Sequence, residues 1–209
     1  SPETAVQSLA AAFGLLTTPS GSYKMILAEG EYPSPGAVNV PSNATVAVVK
    51  AEGAGSAVIF KNPSGSAGEL IGISRKAFTR ISFENISFTG DDPATNSVTE
   101  NMGWGVFLDD CDNAGNSIEI NSCLFENLEI GIKQDYSDDI SVIVKDSFIC
   151  AGCPIDMGYG KNATVDNSTL KLSESGQDYS SIISLSGDTI NVQITNNTLI
   201  GNNGLGRGI

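Results

Sequence analysis

The sequence predicts an all-β solenoid of stacked coils, with one amphipathic helix laid over its first end. Two recurring patterns and the composition carry that reading. The first pattern is an apolar residue, any residue, a small polar residue, two further positions and another apolar residue. Its copies start at Phe83, Ile120, Val144, Val165 and Ile194, spaced 37, 24, 21 and 29 residues apart. The second is a strand-like run before each later copy, at Gly105–Leu108, Gly131–Gln134, Pro154–Met157 and Ile182–Leu185. Two strand families in one order at one period make each coil reuse the same corners, which stacks parallel sheets. The chain is sparse in charge and rich in Gly, Ser, Thr and Asn, as many short strands and tight turns require.

Taken in order, residues 1–18 read as the capping helix and 19–209 as coils, all in one domain. Ser1 suits an N-cap, Pro2 the first helical position and Glu3 the positive end of the dipole. Val6, Leu9, Ala10, Phe13 and Leu16 then share one face. β-rich runs follow at 24–27, 38–40, 45–49 and 57–60, punctuated by turn residues such as Glu29-Gly30 and Pro35-Gly36. A column of polar residues, Asn85, Asn121, Asp146, Asn167 and Asn196, is expected to form a buried hydrogen-bonding ladder between coils.

Composition narrows the function. With 11 basic and 24 acidic residues the net charge is −13, so nucleic acid is repelled and no nucleic-acid partner is expected. No apolar run approaches the ~20 residues that span a bilayer. Histidine is absent, which excludes His-based triads and His-ligated metals. Of the four cysteines, Cys150 and Cys153 form the candidate disulfide, and Cys123 is expected to pack inside. A chain beginning at Ser1 fits a processed, exported protein, extracellular or at a cell surface.

The opening helix and the stretches 26–32 and 40–46, with the repeats that follow, make nearly the whole chain resemble the pectate-lyase-like superfamily. That resemblance implies a right-handed single-stranded parallel β-helix. The family includes polysaccharide lyases and hydrolases, phage tailspikes, adhesins and surface-layer components, so fold alone licenses no activity. It also implies that a substrate would lie across the outer face of one parallel sheet.

Alternation along the second strand family sends Phe107, Lys133, Asp156 and Ser184 outward, and Asp109 and Asp135 two residues on. Asp109, Asp135 and Asp156 with Lys133 are the candidate catalytic cluster. The three carboxylates are also a candidate calcium site, although no cofactor is required. A lyase of this family uses a basic residue, commonly Arg, beside a uronate; Arg75, Arg80 and Arg207 lie outside the cluster, which weighs against catalysis. The loop from Gly90 to Gly103 delivers Trp104, the single tryptophan, and with Tyr136 and Tyr159 it is a candidate sugar-stacking residue. Among the sequons, Asn43 and Asn162 are candidate glycan acceptors; those at Asn85, Asn167 and Asn196 fall on the expected buried ladder.

The C-terminal stretch carries no capping segment after Gly208-Ile209, so Leu205 and Ile209 are expected to mark an assembly end. The preferred expectation is a secreted or cell-surface structural or adhesive subunit that associates with copies of itself and binds polysaccharide. The alternatives are a lyase or glycoside hydrolase acting on an acidic glycan, and a phage tailspike-type receptor-binding protein.

Overall fold

The computed structural model describes residues 8–53, 55–60, 68–74, 77–92, 97–98, 103–111, 115–137, 139–158, 162–173, 181–186 and 191–201. Among them the chain is all-β, a solenoid-like stack whose successive strands add to parallel sheets. Each full coil has three faces. The first face is a seven-stranded sheet of Ser22–Leu27, Thr45–Lys50, Arg80–Glu84, Ser117–Asn121, Ser141–Lys145, Asn162–Asp166 and Asn191–Thr195. The second holds Gly30–Pro33, Ala57–Phe60, Ser87–Thr89, Thr169–Leu172 and Thr198–Ile200. The third holds Gly36–Ala37, Glu69–Ser74, Trp104–Asp109 and Ile183–Leu185. Two long strands, Leu124–Asp135 and Phe148–Met157, run unbroken from the second face onto the third. Among the described residues the single antiparallel pairing is a two-residue one between Asp91–Asp92 and Ser97–Val98.

Period-2 alternation explains the strands. On the first face Val46, Ile81, Ile118 and Val142 stack inward, with Val48, Phe83, Ile120 and Val144 two residues on. Ile59, Phe88, Phe125, Ile149 and Leu170 form the inward column of the second face. The rings of Phe88 and Phe125 stack at 4.5 Å, and Phe83 meets Phe88 edge-on at 5.5 Å. The expected inward residues of the third face, Val106, Ile132, Ile155 and Ile183, are all buried and in register.

The recurring phrase is therefore not one strand but a corner. Its first apolar residue closes the first face, and its last one opens the second. Between them Asn85, Ser122, Asp146, Asn167 and Asn196 all take left-handed backbone, with φ of 48–58°. That conformation penalises side chains with a crowded Cβ and is best tolerated by Asn and Asp, which is why a small polar residue recurs. This corrects the expected ladder in two respects. Asn121 is the last strand residue, in register with Glu84 and Lys145, and Ser122 takes the left-handed place. The column is also exposed, because the bend turns these side chains outward. One bond between rungs does form there, Asn167 Nδ2 donating to Asp146 Oδ1 at 2.6 Å, while Asn196 Nδ2 donates to Asp166 Oδ1, the strand residue before the Asn167 rung, at 3.0 Å.

The buried ladder lies one residue later. There the chain enters the core with backbone N–H groups that no strand can satisfy. The Cys123 N–H donates to Ser147 Oγ at 3.1 Å, the Ser147 N–H to Ser168 Oγ at 3.2 Å, and the Ser168 N–H to Asn197 Oδ1 at 2.8 Å. The two serine hydroxyls donate onward to the carbonyls of Lys145 and Asp166. At the corner from third to first face the same device recurs. Asp110 and Tyr136 are left-handed, and the Cys111 N–H donates to Ser137 Oγ at 3.0 Å.

Three further expectations are corrected. The described helix is Leu9–Gly14, capped by Ser8 Oγ accepting from the Ala11 N–H, while the expected cap at Ser1 and the first turn lie outside the described residues. Leu9, Phe13 and Leu16 are buried as expected, but Ala10 faces out. Cys150 and Cys153 are not bridged, and none of the four cysteines is in a disulfide. Both lie on the extended strand Phe148–Met157, where Cys153 is buried and Cys150 is only half-buried, so the two side chains do not share an environment.

The corner geometry predicts that Ser147→Ala costs about 1–3 kcal/mol in urea denaturation, because it strips the buried Cys123 N–H of its acceptor. Cys123→Ser should shift stability by no more than about 1 kcal/mol, since serine already occupies this place in the next two coils.

Candidate functional site

The outer side of the third face brings the expected residues together. Strand register places Phe107 beside Lys133, Lys133 beside Asp156, and Asp156 beside Ser184, on four successive coils. A second row sets Asp109 directly opposite Asp135. Glycines make room for this strip. A Cβ on Gly131 would stand 2.6 Å from the Pro154 carbonyl oxygen, so the bend from second to third face needs a residue without one. A Cβ on Gly158 would meet Asp135 Oδ1 at 2.6 Å, so the carboxylate lies over that glycine.

Lys133 organises the centre. Its Nζ lies 3.1 Å from Asp135 Oδ2 and 4.1 Å from the centroid of the Trp104 ring, with Phe107 at 5.7 Å. Trp104 in turn meets Phe107 edge-on at 4.8 Å. The side chains of Lys133 and Asp135 are 18% and 26% exposed, so their pairing is only partly screened by water. A face of Trp104 expected to stack on sugar is thus occupied by the chain's own ammonium.

Asp156 is half-buried in the next coil. Desolvation pushes its carboxyl above the usual value of 3.8 and the charge of Asp135 adds to that, while a Ser184 hydrogen bond and the Lys133 charge oppose it. Cys153 lies under the same patch, and burial, aided by Asp156, drives its thiol up to about 12. Such a thiol is inert as a nucleophile.

Asp109, Asp135 and Asp156 do not converge on a point. No group of three or more Asp, Glu, Cys or His that could hold a metal ion occurs among the described residues. The expected calcium geometry is not formed; the positive charge beside Asp135 is the Lys133 ammonium. Arg80, on the first face, is paired with Glu119 at 2.6 Å. Tyr136, left-handed at the end of its strand, is 61% exposed beside the strip. Tyr159, Leu205, Ile209, Arg75 and Arg207 lie outside the described residues.

The expectation for the sequons is reversed in part. Asn43 is exposed as expected, but Asn162 is half-buried and accepts a hydrogen bond from Asn191 Nδ2 at 2.9 Å. Asn85, Asn167 and Asn196 are exposed, because their column lies on the outer ridge.

One feature that the sequence did not announce is a cleft of about 540 Å³ between the helix and the first coil, lined by Phe13, Leu16, Val38, Val40 and Pro41. No ionisable side chain lines it among the described residues, and the charged groups gather on the third face, the better candidate for recognition.

No protein-family model matches the chain, and comparison with curated proteins and with solved structures finds no match.

The environment of Asp156 sets a pH dependence. Its folded-state proton is held to higher pH than in the unfolded chain, so it adds stability that is complete below 3.8 and is lost as pH rises through the raised folded value. Asp156→Asn cannot ionise and should gain on the wild type as pH rises from about 3 to 7. Thermal denaturation across that range measures the difference.

Proposed function

We propose that the chain is a right-handed parallel β-helix of the pectate-lyase-like kind that binds polysaccharide along its third face as a secreted or cell-surface structural or adhesive subunit. Three parallel faces visited in one order by every full coil support the architecture. The strip Phe107, Trp104, Lys133, Asp135, Asp156 and Ser184 carries the binding reading. It places aromatic, ionic and hydroxyl groups in a shallow line at the ~4.8 Å strand spacing, a surface that suits an extended chain better than a compact ligand. Retention in affinity gel electrophoresis on a panel of soluble polysaccharides tests it. Tyr136→Ala, an exposed position, should weaken retention about tenfold; undiminished retention would remove Tyr136 from the site, and no retention of wild type on any polymer would sink the reading.

Two observations favour companion readings. Asp156, which holds its proton unusually well, neighbours the coil of Asp135, which is ion-paired; differing environments of this sort suit an acid and its partner in a glycoside hydrolase. Turnover lost in Asp156→Asn would support hydrolysis. The absence of Arg from the described third face weighs against a lyase. For self-association, Leu199 is 38% and Ile200 39% exposed, although Leu170 and Ile149 in the Leu199 column are fully buried. In the self-association reading this exposed apolar edge is the docking point for a second copy. Sedimentation should then depend on concentration and lose that dependence in Leu199→Glu; a monomer at every concentration would refute it.

A further inference from the structure

We propose that the Lys133–Asp135 pair acts as a charge gate, making the third face select glycans that carry no acidic group. The inference rests on the polysaccharide-binding reading and specifies its ligand. Recognition of a uronate or sulfate calls for an accessible cation. Among the described residues of the strip, Lys133 is the single cation, and it is committed on two sides. Asp135 Oδ2 lies 3.1 Å from its ammonium, and the Trp104 ring lies below it at 4.1 Å. An arriving carboxylate would have to displace Asp135 and compete with its charge, with Asp109 in register beside Asp135 and Asp156 beside Lys133. The net charge of −13 adds repulsion at longer range. Hydroxyl groups meet no such barrier: carboxylates accept hydrogen bonds from them, and the Ser184 hydroxyl stands at the end of the row. A ligand amine would be attracted by the same carboxylates. The acceptable chemistry is therefore a neutral or amine-bearing glycan, and Asp135 sets that specificity by keeping the lysine occupied.

The test uses the full chain in affinity gel electrophoresis against laminarin, mannan, chitosan and polygalacturonate, with circular dichroism as the check on folding. Wild type should be retained by at least one of the first three and not by polygalacturonate. Asp135→Asn releases the ammonium, and its apparent affinity for polygalacturonate should rise at least about tenfold, the worth of one partly screened charge contact. The gain should disappear in Lys133→Gln/Asp135→Asn, which keeps the same shape without the cation, and it should fall with added salt. Wild type held by polygalacturonate as firmly as by a neutral polymer would overturn the gate. So would a folded Asp135→Asn that still binds laminarin or mannan yet gains nothing on polygalacturonate; that result would leave polysaccharide binding standing. Retention of wild type by none of the four polymers would overturn both.

Discussion

The constraint on which this molecule depends is the buried backbone amide where the first face turns into the second and the third into the first. Along the faces, parallel ladders satisfy the chain without help from side chains. At these two corners the ladder is interrupted, and an N–H entering the core must find an acceptor or cost about 1–3 kcal/mol. Here it is met from the adjacent coil, by Ser147, Ser168 and Asn197 at one corner and by Ser137 at another. Each corner residue thereby fixes the height of its neighbour, so that the apolar columns fall in register and the fully buried phenylalanines can touch. The left-handed residue just before is the second half of the device, because without it the strand would not turn.

Much of this was legible in the chain. Alternation alone oriented Val106, Ile132, Ile155 and Ile183 inward, and register did the rest for the strip above them. The small polar residue of the repeat was visible too, but its reason was not. Asn is suited both to ladders and to left-handed backbone, and a sequence does not say which property is in use. That ambiguity is why Asn121, a strand residue one place early, passed for a rung that belongs to Ser122. The serines and cysteines of the inner column left a fainter trace: small residues one place after the bend, interchangeable in sequence because their work is to fill little space and face a neighbouring amide.

The site was legible in its membership and not in its pairing. Spacing placed Lys133 among carboxylates, which is enough to suggest a metal, a nucleophile or a base. Side-chain reach settles the matter differently, since a lysine on one coil extends to a ring on the coil before it and to a carboxylate two residues along its own strand. Those contacts turn a cluster of reactive groups into a closed one. Burial acts in the same direction on Cys153, whose thiol is held protonated under the strip.

The corner bonds have a consequence for how such a chain can change length. The acceptors that meet the Cys123, Ser147 and Ser168 amides each belong to the coil that comes next. Removing or copying one whole coil therefore cuts and restores the same set of bonds, whereas losing part of a coil strands amides on both sides of the gap. Length in this molecule is counted in turns. The 21-residue step between the phrases at Val144 and Val165 and the 37-residue step between Phe83 and Ile120 are one turn each, the difference carried between the corners. A lineage of such chains can lengthen its third face by duplication while each new turn arrives with its own fastening.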